Sequence, residues 1–366
     1  MSEPRITEAA RARFDACLAD ADEDAAVELT VDLVTSGVSA EDVLLRLVAP
    51  AQVRVGERWE SGEWTVAQEH AATHVSRKAV DGVTSAARGT ARLPDGAGSR
   101  GHVLVACSDG EWHVLPSQIL TEVLRLHGFD VRSLGGSVSP HGMLSDVHQN
   151  GPDVVAVSCT LPWNLPLAHR QIEICRSAGV PVITGGAGFG PEGTWAYALG
   201  ADLYAADARG AVDALTRHWP PVLRGESSVE ADAVEAYAML VRQRPGLLEH
   251  LTAALRDAAP GLRGSSGTAD GTGSGSAMEH EESTGFLGRL LDSLAAAVYV
   301  DDERVFTRHL AFARTYLTTR SADSRCLIVM ADALADRLDE SPRALDQLSA
   351  GRRFLVEQED APRRPG

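Results

Sequence analysis

The chain is short of positive charge. Its 34 lysines and arginines stand against 51 aspartates and glutamates, for a formal net charge of −17 over 366 residues. A phosphate backbone is repelled by such a surface unless a local cation cluster outweighs it, and no Lys/Arg run of that density occurs. Direct nucleic-acid binding is therefore not expected. No run of about 18 or more apolar residues exists either, which argues against a membrane-spanning helix. The N-terminal stretch MSEPRITEAARARFDAC has no basic region followed by an apolar block, so it does not read as a signal peptide. Cys-x-x-Cys pairs are missing too. The five cysteines (Cys17, Cys107, Cys159, Cys175 and Cys326) are scattered, a pattern of reduced, mostly core thiols. A cytoplasmic protein is expected.

The length suggests two or three domains, and what is present falls into three parts. Residues 1–90 read as a four-helix bundle, with apolar residues at three-to-four spacing in each of four segments. Ser39 is a candidate helix cap. Thr65 and Gln68 form a T-x-x-Q capping box that starts the fourth helix at Val66, and Pro50 is expected to kink the third. The polar Gly/Pro stretch 89–100 reads as a linker. Over 100–222 the short β-branched runs HVLVACS, DVRSLG, DVVAVSC, PVITGG and DLYAAD alternate with helix-length segments. That alternation implies a doubly wound, Rossmann-like parallel sheet with its ligand at the carboxyl ends of the strands. Residues 226–366 read as an all-helical domain, interrupted by a flexible insert at 263–278 (RGSSGTADGTGSGSAM). Ser341 and Pro342 suit a helix N-cap and first turn, and the tail EDAPRRPG is expected to fray.

The loop SDGEWHVLP follows the first strand, so Glu111, Trp112 and His113 sit where such a sheet presents its ligand. A carboxylate two residues before a histidine can orient one ring nitrogen while the other faces outward, the arrangement of a metal-ligating imidazole. Ser158 ends the third strand within VSCTL, and Gly185-Gly186 end the fourth within ITGGAGFG. Small residues there leave room between strands for a ligand. Taken singly, His113 reads as a surface-loop histidine and the glycine pair as an ordinary turn. The ordered set on matching strands outweighs that.

This ordered set resembles the cobalamin-binding Rossmann-like family, which carries D-x-H-x-x-G, then S-x-L or S-x-T, then G-G. The resemblance implies that His113 is the lower axial ligand of cobalt, replacing the dimethylbenzimidazole of cobalamin. It implies that Glu111 orients His113, and that Ser158, Thr160, Gly185 and Gly186 line the channel for the displaced nucleotide tail. Trp112 and Leu161 fall within the same cofactor-binding motifs. Two positions depart from the family pattern: Glu111 stands for the commoner Asp, and Pro116 stands where the motif has Gly.

A second stretch, WESGEWTVAQEH (59–70), places Trp59, nine residues, then Glu69-His70 just ahead of that domain. This spacing resembles the helical cap of CarH-type cobalamin photoreceptors. The resemblance implies that the cofactor is 5′-deoxyadenosylcobalamin. Trp59 would cover the adenosyl group, Glu69 would accept its hydrogen bonds, and His70 would help close the pocket. An indole is a suitable apolar lid and a carboxylate a strong acceptor for ribose hydroxyls. By themselves, Trp59 reads as a bundle-core aromatic and Glu69 as a solvated first-turn charge, while His70 and His74 have i,i+4 metal-ligand spacing without an evident third ligand. Glu60 stands where those sensors have a histidine after the tryptophan, so the cobalt ligand after illumination is open, with His74 and His141 as other histidines.

The expected architecture lacks the DNA-binding domain of CarH-type repressors and adds a helical C-terminal domain. In this it resembles the photocobilins, which pair cobalamin with biliverdin. The implied function is a light sensor, not an enzyme, whose oligomeric state changes on illumination and which acts on an unidentified output partner. His250, Arg308, His309 and Tyr316 are candidate bilin contacts, with His280, Arg304, Arg314, Phe306 and Phe312 on the same helices. Cys326 is an imaginable attachment site, although a buried structural thiol is the simpler reading. The alternative, from another class, is a corrinoid protein of a methyltransferase system that carries methylcobalamin. A third reading is an interaction module without cobalamin.

Overall fold

The computed structural model describes residues 5–90, 99–258, 275–320 and 322–360. It opens with helices α1 (Glu8–Ala19), α2 (Glu23–Thr35), α3 (Ala40–Val43), α4 (Ala49–Glu60) and α5 (Val66–Thr90). Each of the early helices starts on a side-chain cap that satisfies an orphan amide: Thr7 accepts from Ala10, Asp22 from Ala25 and Ser39 from Asp42, at 3.0–3.1 Å. The capping box at α5 is formed as expected. The Gln68 amide donates to the Thr65 hydroxyl at 3.2 Å, and the Thr65 amide donates to Gln68 Oε1 at 2.9 Å.

Between α3 and α4 the chain passes through a π-helical turn, Leu44–Val48, in which the Ala49 amide reaches back to the Leu44 carbonyl. Pro50 follows directly. It has no N–H to offer the Arg46 carbonyl, and Arg11 Nη1 donates to that oxygen instead at 2.5 Å. The strain expected at Pro50 is thus taken up by the wider turn and an outside donor. Phe14, Leu44, Leu47, Val55, Val75 and Val80 form the bundle core, all nearly solvent-free.

The five expected strands are all present: β1 (His102–Cys107), β2 (Asp130–Ser133), β3 (Val154–Ser158), β4 (Val182–Gly185) and β5 (Leu203–Ala205). They form one parallel sheet in the order β2-β1-β3-β4-β5. The crossovers carry α6 (Val114–Leu126), α7 (Pro140–Asn150), α8 (Leu165–Ser177) and α9 (Thr194–Ala198), and α10 (Ala208–Arg217) follows the last strand. Every residue of β3 is buried, which is why VVAVS shows no alternation. Strand order reverses at β1, so the crevice outside the carboxyl ends of β1 and β3 is the expected ligand position.

The bundle rests on this sheet domain. Gln118 of α6 donates to Asp81 of α5 at 2.8 Å, and Glu41 of α3 meets both His127 and Arg209 at 3.0 Å. Residues 1–90 and 100–222, separate by composition, belong to a single compact unit, Met1–Ser227.

The second unit, Ser228–Gly366, comprises α11 (Ala231–Ala258), α12 (Gly275–Val300), α13 (Glu303–Thr319), α14 (Cys326–Arg337) and α15 (Pro342–Asp360). Arg343 ties three helix ends together through Glu230, Asp232 and Asp301. The expected insert 263–278 lies outside the described residues up to 274. Its last four residues, 275–278, are the first turn of α12 rather than loop. Most of the linker (91–98) and of the tail (361–366) also lies outside them. Among the described residues no helix is long and apolar enough to cross a membrane.

Candidate functional site

The site grows from the turn between β1 and α6. The Glu111 side chain is fully buried and spends both oxygens on fixed donors. Oε1 accepts from the His113 amide at 2.9 Å and pairs with His113 Nδ1 at 2.5 Å. Oε2 accepts from the amides of Thr160 at 2.8 Å and Leu161 at 3.1 Å. Burial alone would raise the pKa of this carboxyl, but the His113 contacts and the amides outweigh it and hold the group ionised, below its ordinary value. The hydrogen bond from Glu111 in turn raises the His113 pKa against the opposing effect of burial, with added attraction from Glu111 and Glu69.

His113 is the residue immediately before α6 and its side chain is about half exposed, at 52 %. With Nδ1 engaged, Nε2 is the nitrogen left to face a metal. Pro116 sits in the first turn of α6, where its missing N–H has no intrahelical partner to lose. The departure from Gly at this position is therefore compatible with the loop.

Gln171 of α8 was not singled out from sequence, yet it braces the turn. Fully buried, it accepts from the Asp109 amide at 3.2 Å and donates to the Val138 carbonyl at 2.7 Å. Nothing local marks it, since "AHRQIEIC" is an ordinary amphipathic segment. Cys107 and Cys159 flank Glu111, and burial pushes their thiols up to about 11 and about 12.

Beside the turn lies a small cleft of about 90 Å³, lined by Ser158, Gly185 and Gly186 together with Pro116, Leu120 and Ala208. A Cβ on Gly185 would stand 2.8 Å from the Ala205 carbonyl oxygen. One on Gly186, where φ is +104°, would stand 2.3 Å from that of Cys159. Close strand packing therefore requires both glycines, independently of any ligand. Thr160 and Leu161 do not line the cleft; their amides hold Glu111.

Across from the turn is the corner of the bundle. Glu69 is near enough to act electrostatically on the His113 ring. Its Oε1 accepts from the Thr73 hydroxyl at 2.8 Å, Thr73 accepts from Gln52 Nε2 at 2.5 Å, and His70 Nε2 lies 3.4 Å from Oε2. Trp59, near the end of α4, is part-buried. The indole that fills the corner is Trp64, 7 % exposed, with the Arg58 guanidinium 5.0 Å above its ring. His74 pairs with Glu23, and His141 is exposed on α7. Among the described residues no group of three metal-ligating side chains occurs, so His70 and His74 lack a third partner for a metal of their own. Trp112 projects from the turn with 74 % of its surface exposed.

The candidates in the second unit are dispersed. His309 is buried on α13, and burial with the nearby Arg289 lowers its pKa to about 4, so it is neutral at physiological pH. His250 Nε2 is engaged with the Ala333 carbonyl at 3.1 Å, Arg304 with Asp302 and Arg314 with Gln358. Arg308 is exposed. Tyr316 lies about 6 Å from the rings of both Phe286 and Phe312, with the Arg320 guanidinium 3.7 Å over its own. Phe306 is core, packed at Gly351. The His280 side chain lies outside the described residues. Cys326 is buried, with its pKa pushed up to about 11, a poor state for a nucleophilic thiol.

Two family models match this chain, both described as a B12 binding domain, one over residues 101–216 and the other over residues 10–83. The chain carries a cobalamin-binding module. The trimethylamine corrinoid protein of Methanosarcina barkeri is 24 % identical over 205 residues, which is 55 % of this chain and 92 % of the relative. The dimethylamine corrinoid protein 3 of Methanosarcina mazei is 28 % identical over 126 residues, or 33 % of this chain and 74 % of the relative. Among solved structures, the Methanosarcina barkeri monomethylamine corrinoid protein aligns with a TM-score of 0.48 at 18 % identity, covering 56 % of this chain and 96 % of its own.

The residues present fit cobalamin. A half-exposed imidazole whose Nδ1 is engaged leaves Nε2 for a cobalt ligand, a buried carboxylate fixes its tautomer, and an open cleft begins at the adjoining strand ends. Both family matches end before residue 217, so they leave the second unit unassigned.

Proposed function

We propose that this protein binds a base-off cobalamin between helical bundle and sheet, with His113 Nε2 as the lower cobalt ligand, and works as a corrinoid carrier in methyl transfer. The observation that carries the binding mode is the Glu111–His113 pair, with the carboxylate saturated by amides and by Nδ1 of a half-exposed ring. The named relatives, all corrinoid proteins, support the methyl-transfer assignment. When bound, cobalamin would supply a cobalt centre able to carry an alkyl group. The chain's own residues position that chemistry. Glu111 orients the imidazole and holds a proton on Nδ1. Ser158, Gly185 and Gly186 leave room for the nucleotide tail, and the bundle corner keeps water from the upper face.

A second reading is favoured by one specific feature. Glu69, ten residues after Trp59 and next to His70, is close enough to His113 to raise its pKa by charge attraction. This supports an adenosyl group under the bundle and hence a light-responsive sensor with light-dependent oligomerisation. In that reading the second unit takes biliverdin, with Arg308 and Tyr316 as its surface-facing candidates and His250 and His309 inside the helices.

One experiment tests the binding mode and separates the readings. The protein is loaded with methylcobalamin or adenosylcobalamin and its absorbance followed in the dark and under green light. The wild type is expected to give a base-off, histidine-ligated spectrum that His113→Ala loses. An unchanged spectrum in that variant would refute the ligand assignment. Methyl transfer with a partner methyltransferase supports the carrier. Rapid, adenosyl-dependent conversion in light with a change in oligomer size supports the sensor, and a red-absorbing band after addition of biliverdin supports its second chromophore.

A further inference from the structure

Trp112 is the one tryptophan of six that the fold leaves mostly in water. Trp195 and Trp64 are buried, and Trp59, Trp163 and Trp219 are part-buried, whereas Trp112 is 74 % exposed. An indole offers roughly 150–250 Å² of surface, and at about 25 cal/mol per Å² leaving it in water forgoes a large stabilisation. Its position is also not loose. It stands between Glu111, held by its four contacts, and His113 at the start of α6. Its flanking carbonyls are engaged too: the Ser137 amide donates to the Glu111 carbonyl at 2.8 Å and the Val114 amide to that of Trp112 at 2.9 Å.

Gly136, three residues beyond β2, packs close under the turn: a Cβ there would meet Val114 Cγ1 at 2.8 Å and the Glu111 carbonyl oxygen at 3.3 Å, and would come into ordinary contact with Trp112 Cε3 at 3.5 Å. The backbone is therefore anchored on both sides while an apolar plane is held out next to the half-exposed His113 ring. A large exposed apolar group on a fixed loop marks a contact surface.

We propose that Trp112 is a cofactor-contact residue: its indole lies under the edge of the corrin macrocycle and sets how tightly and in what orientation the ring is held. This rests on the assignment of His113 as the cobalt ligand. A planar macrocycle pinned at a single point beneath its centre can still tilt and turn about that bond. A flat aromatic surface next to the pinning residue opposes both motions through dispersion and loss of apolar surface to water. Glu111 and His113 fix where cobalt sits; Trp112 restrains the ring around it.

The test uses the full chain and methylcobalamin, with two readouts. Hydroxyl-radical footprinting with mass spectrometry, on the free and loaded protein, reports whether Trp112 is covered. Absorbance titration of wild type, Trp112→Ala and Trp112→Phe reports affinity and axial ligation. Loading is expected to protect Trp112. Trp112→Ala is expected to bind at least about tenfold more weakly while keeping the histidine-ligated spectrum, and Trp112→Phe to stay within about threefold of wild type.

If Trp112 is oxidised equally with and without cofactor, or if Trp112→Ala binds as tightly as wild type, the proposal is overturned. An indole still reactive in the loaded protein would then be an open docking surface for another protein. A wild-type spectrum without histidine ligation would instead remove the parent assignment and this proposal with it. A normal spectrum over an unprotected Trp112 would remove only this one.

Discussion

The contact on which the site depends most is the buried carboxylate of Glu111, and its removal has a calculable cost. Glu111→Ala strips the acceptor from three backbone amides and the His113 ring N–H. Each buried donor left unpaired costs about 1–3 kcal/mol. Water entering the vacated space recovers part of this, so a net loss of about 3–5 kcal/mol is expected, typical of breaking a buried charged network. Glu111→Gln retains one acceptor oxygen but turns an NH2 group toward donors, for a loss of about 2–3 kcal/mol. Urea denaturation monitored by circular dichroism measures both.

Under the proposed ligation of cobalt by His113, the same substitution also weakens metal binding. Losing the group that orients a ligating histidine lowers metal affinity about 10–100-fold, which absorbance titration of Glu111→Gln with methylcobalamin will read. An affinity within twofold of wild type, with an unchanged histidine-ligated spectrum, would refute the reasoning.

The pair also fixes a pH dependence. His113 has a raised folded pKa, so its contribution to stability is complete below the ordinary histidine value and is lost as pH rises through the raised one. Glu111 is lowered. Its contribution is present above the ordinary glutamate value and is lost as pH falls through the folded one. Under the proposed ligation, cobalt would compete with a proton for His113 Nε2, so histidine ligation is expected to grow as pH rises through the raised His113 pKa. In Glu111→Gln that spectroscopic midpoint moves down toward the ordinary histidine range.

Three further outcomes follow from the packing. Gly186→Ala must place a methyl 2.3 Å from the Cys159 carbonyl oxygen at a positive φ, and should lose at least about 2 kcal/mol in a denaturation experiment. Asp202, whose carboxylate accepts from the amides of Val182, Arg224 and Gly225 and from Arg176, is held below its ordinary pKa despite burial. Asp202→Ala should cost about 3 kcal/mol at neutral pH, and less as pH falls through the folded pKa of the wild-type group. In the second unit, Gly351→Ala drives a methyl to 2.6 Å from Phe306 and 2.8 Å from Leu310, an overpacking that should cost about 1–3 kcal/mol on thermal unfolding.

Much of the site could be read along the chain because its parts are local. Glu111 and His113 are two residues apart on a loop whose place after a β-branched run is set by strand periodicity. The i+2 spacing alone puts carboxylate and imidazole in reach. The capping box at Thr65 and the five strands follow from equally short-range rules. In the second unit, by contrast, residue type was a poor guide. His250 and His309 have the right chemistry for a chromophore, but helix phase turns them inward, and only the neighbouring helices define that phase.

What sequence alone determined here is the class of fold and the pairing of Glu111 with His113, since both rest on periodicity and spacing within a few residues. The tertiary structure decided what holds that pair and what surrounds it. The second oxygen of Glu111 is saturated by amides 49 and 50 residues away. Gln171 braces the turn from a distant helix, and Trp64 rather than Trp59 fills the bundle corner. Gly185 and Gly186 answer to carbonyls on neighbouring strands, and Glu69 reaches His113 only because the bundle is docked on α6 and α10 through Gln118 and Glu41. These are contacts between segments far apart in the chain, and a linear pattern carries no information on which distant donor or void a side chain will meet.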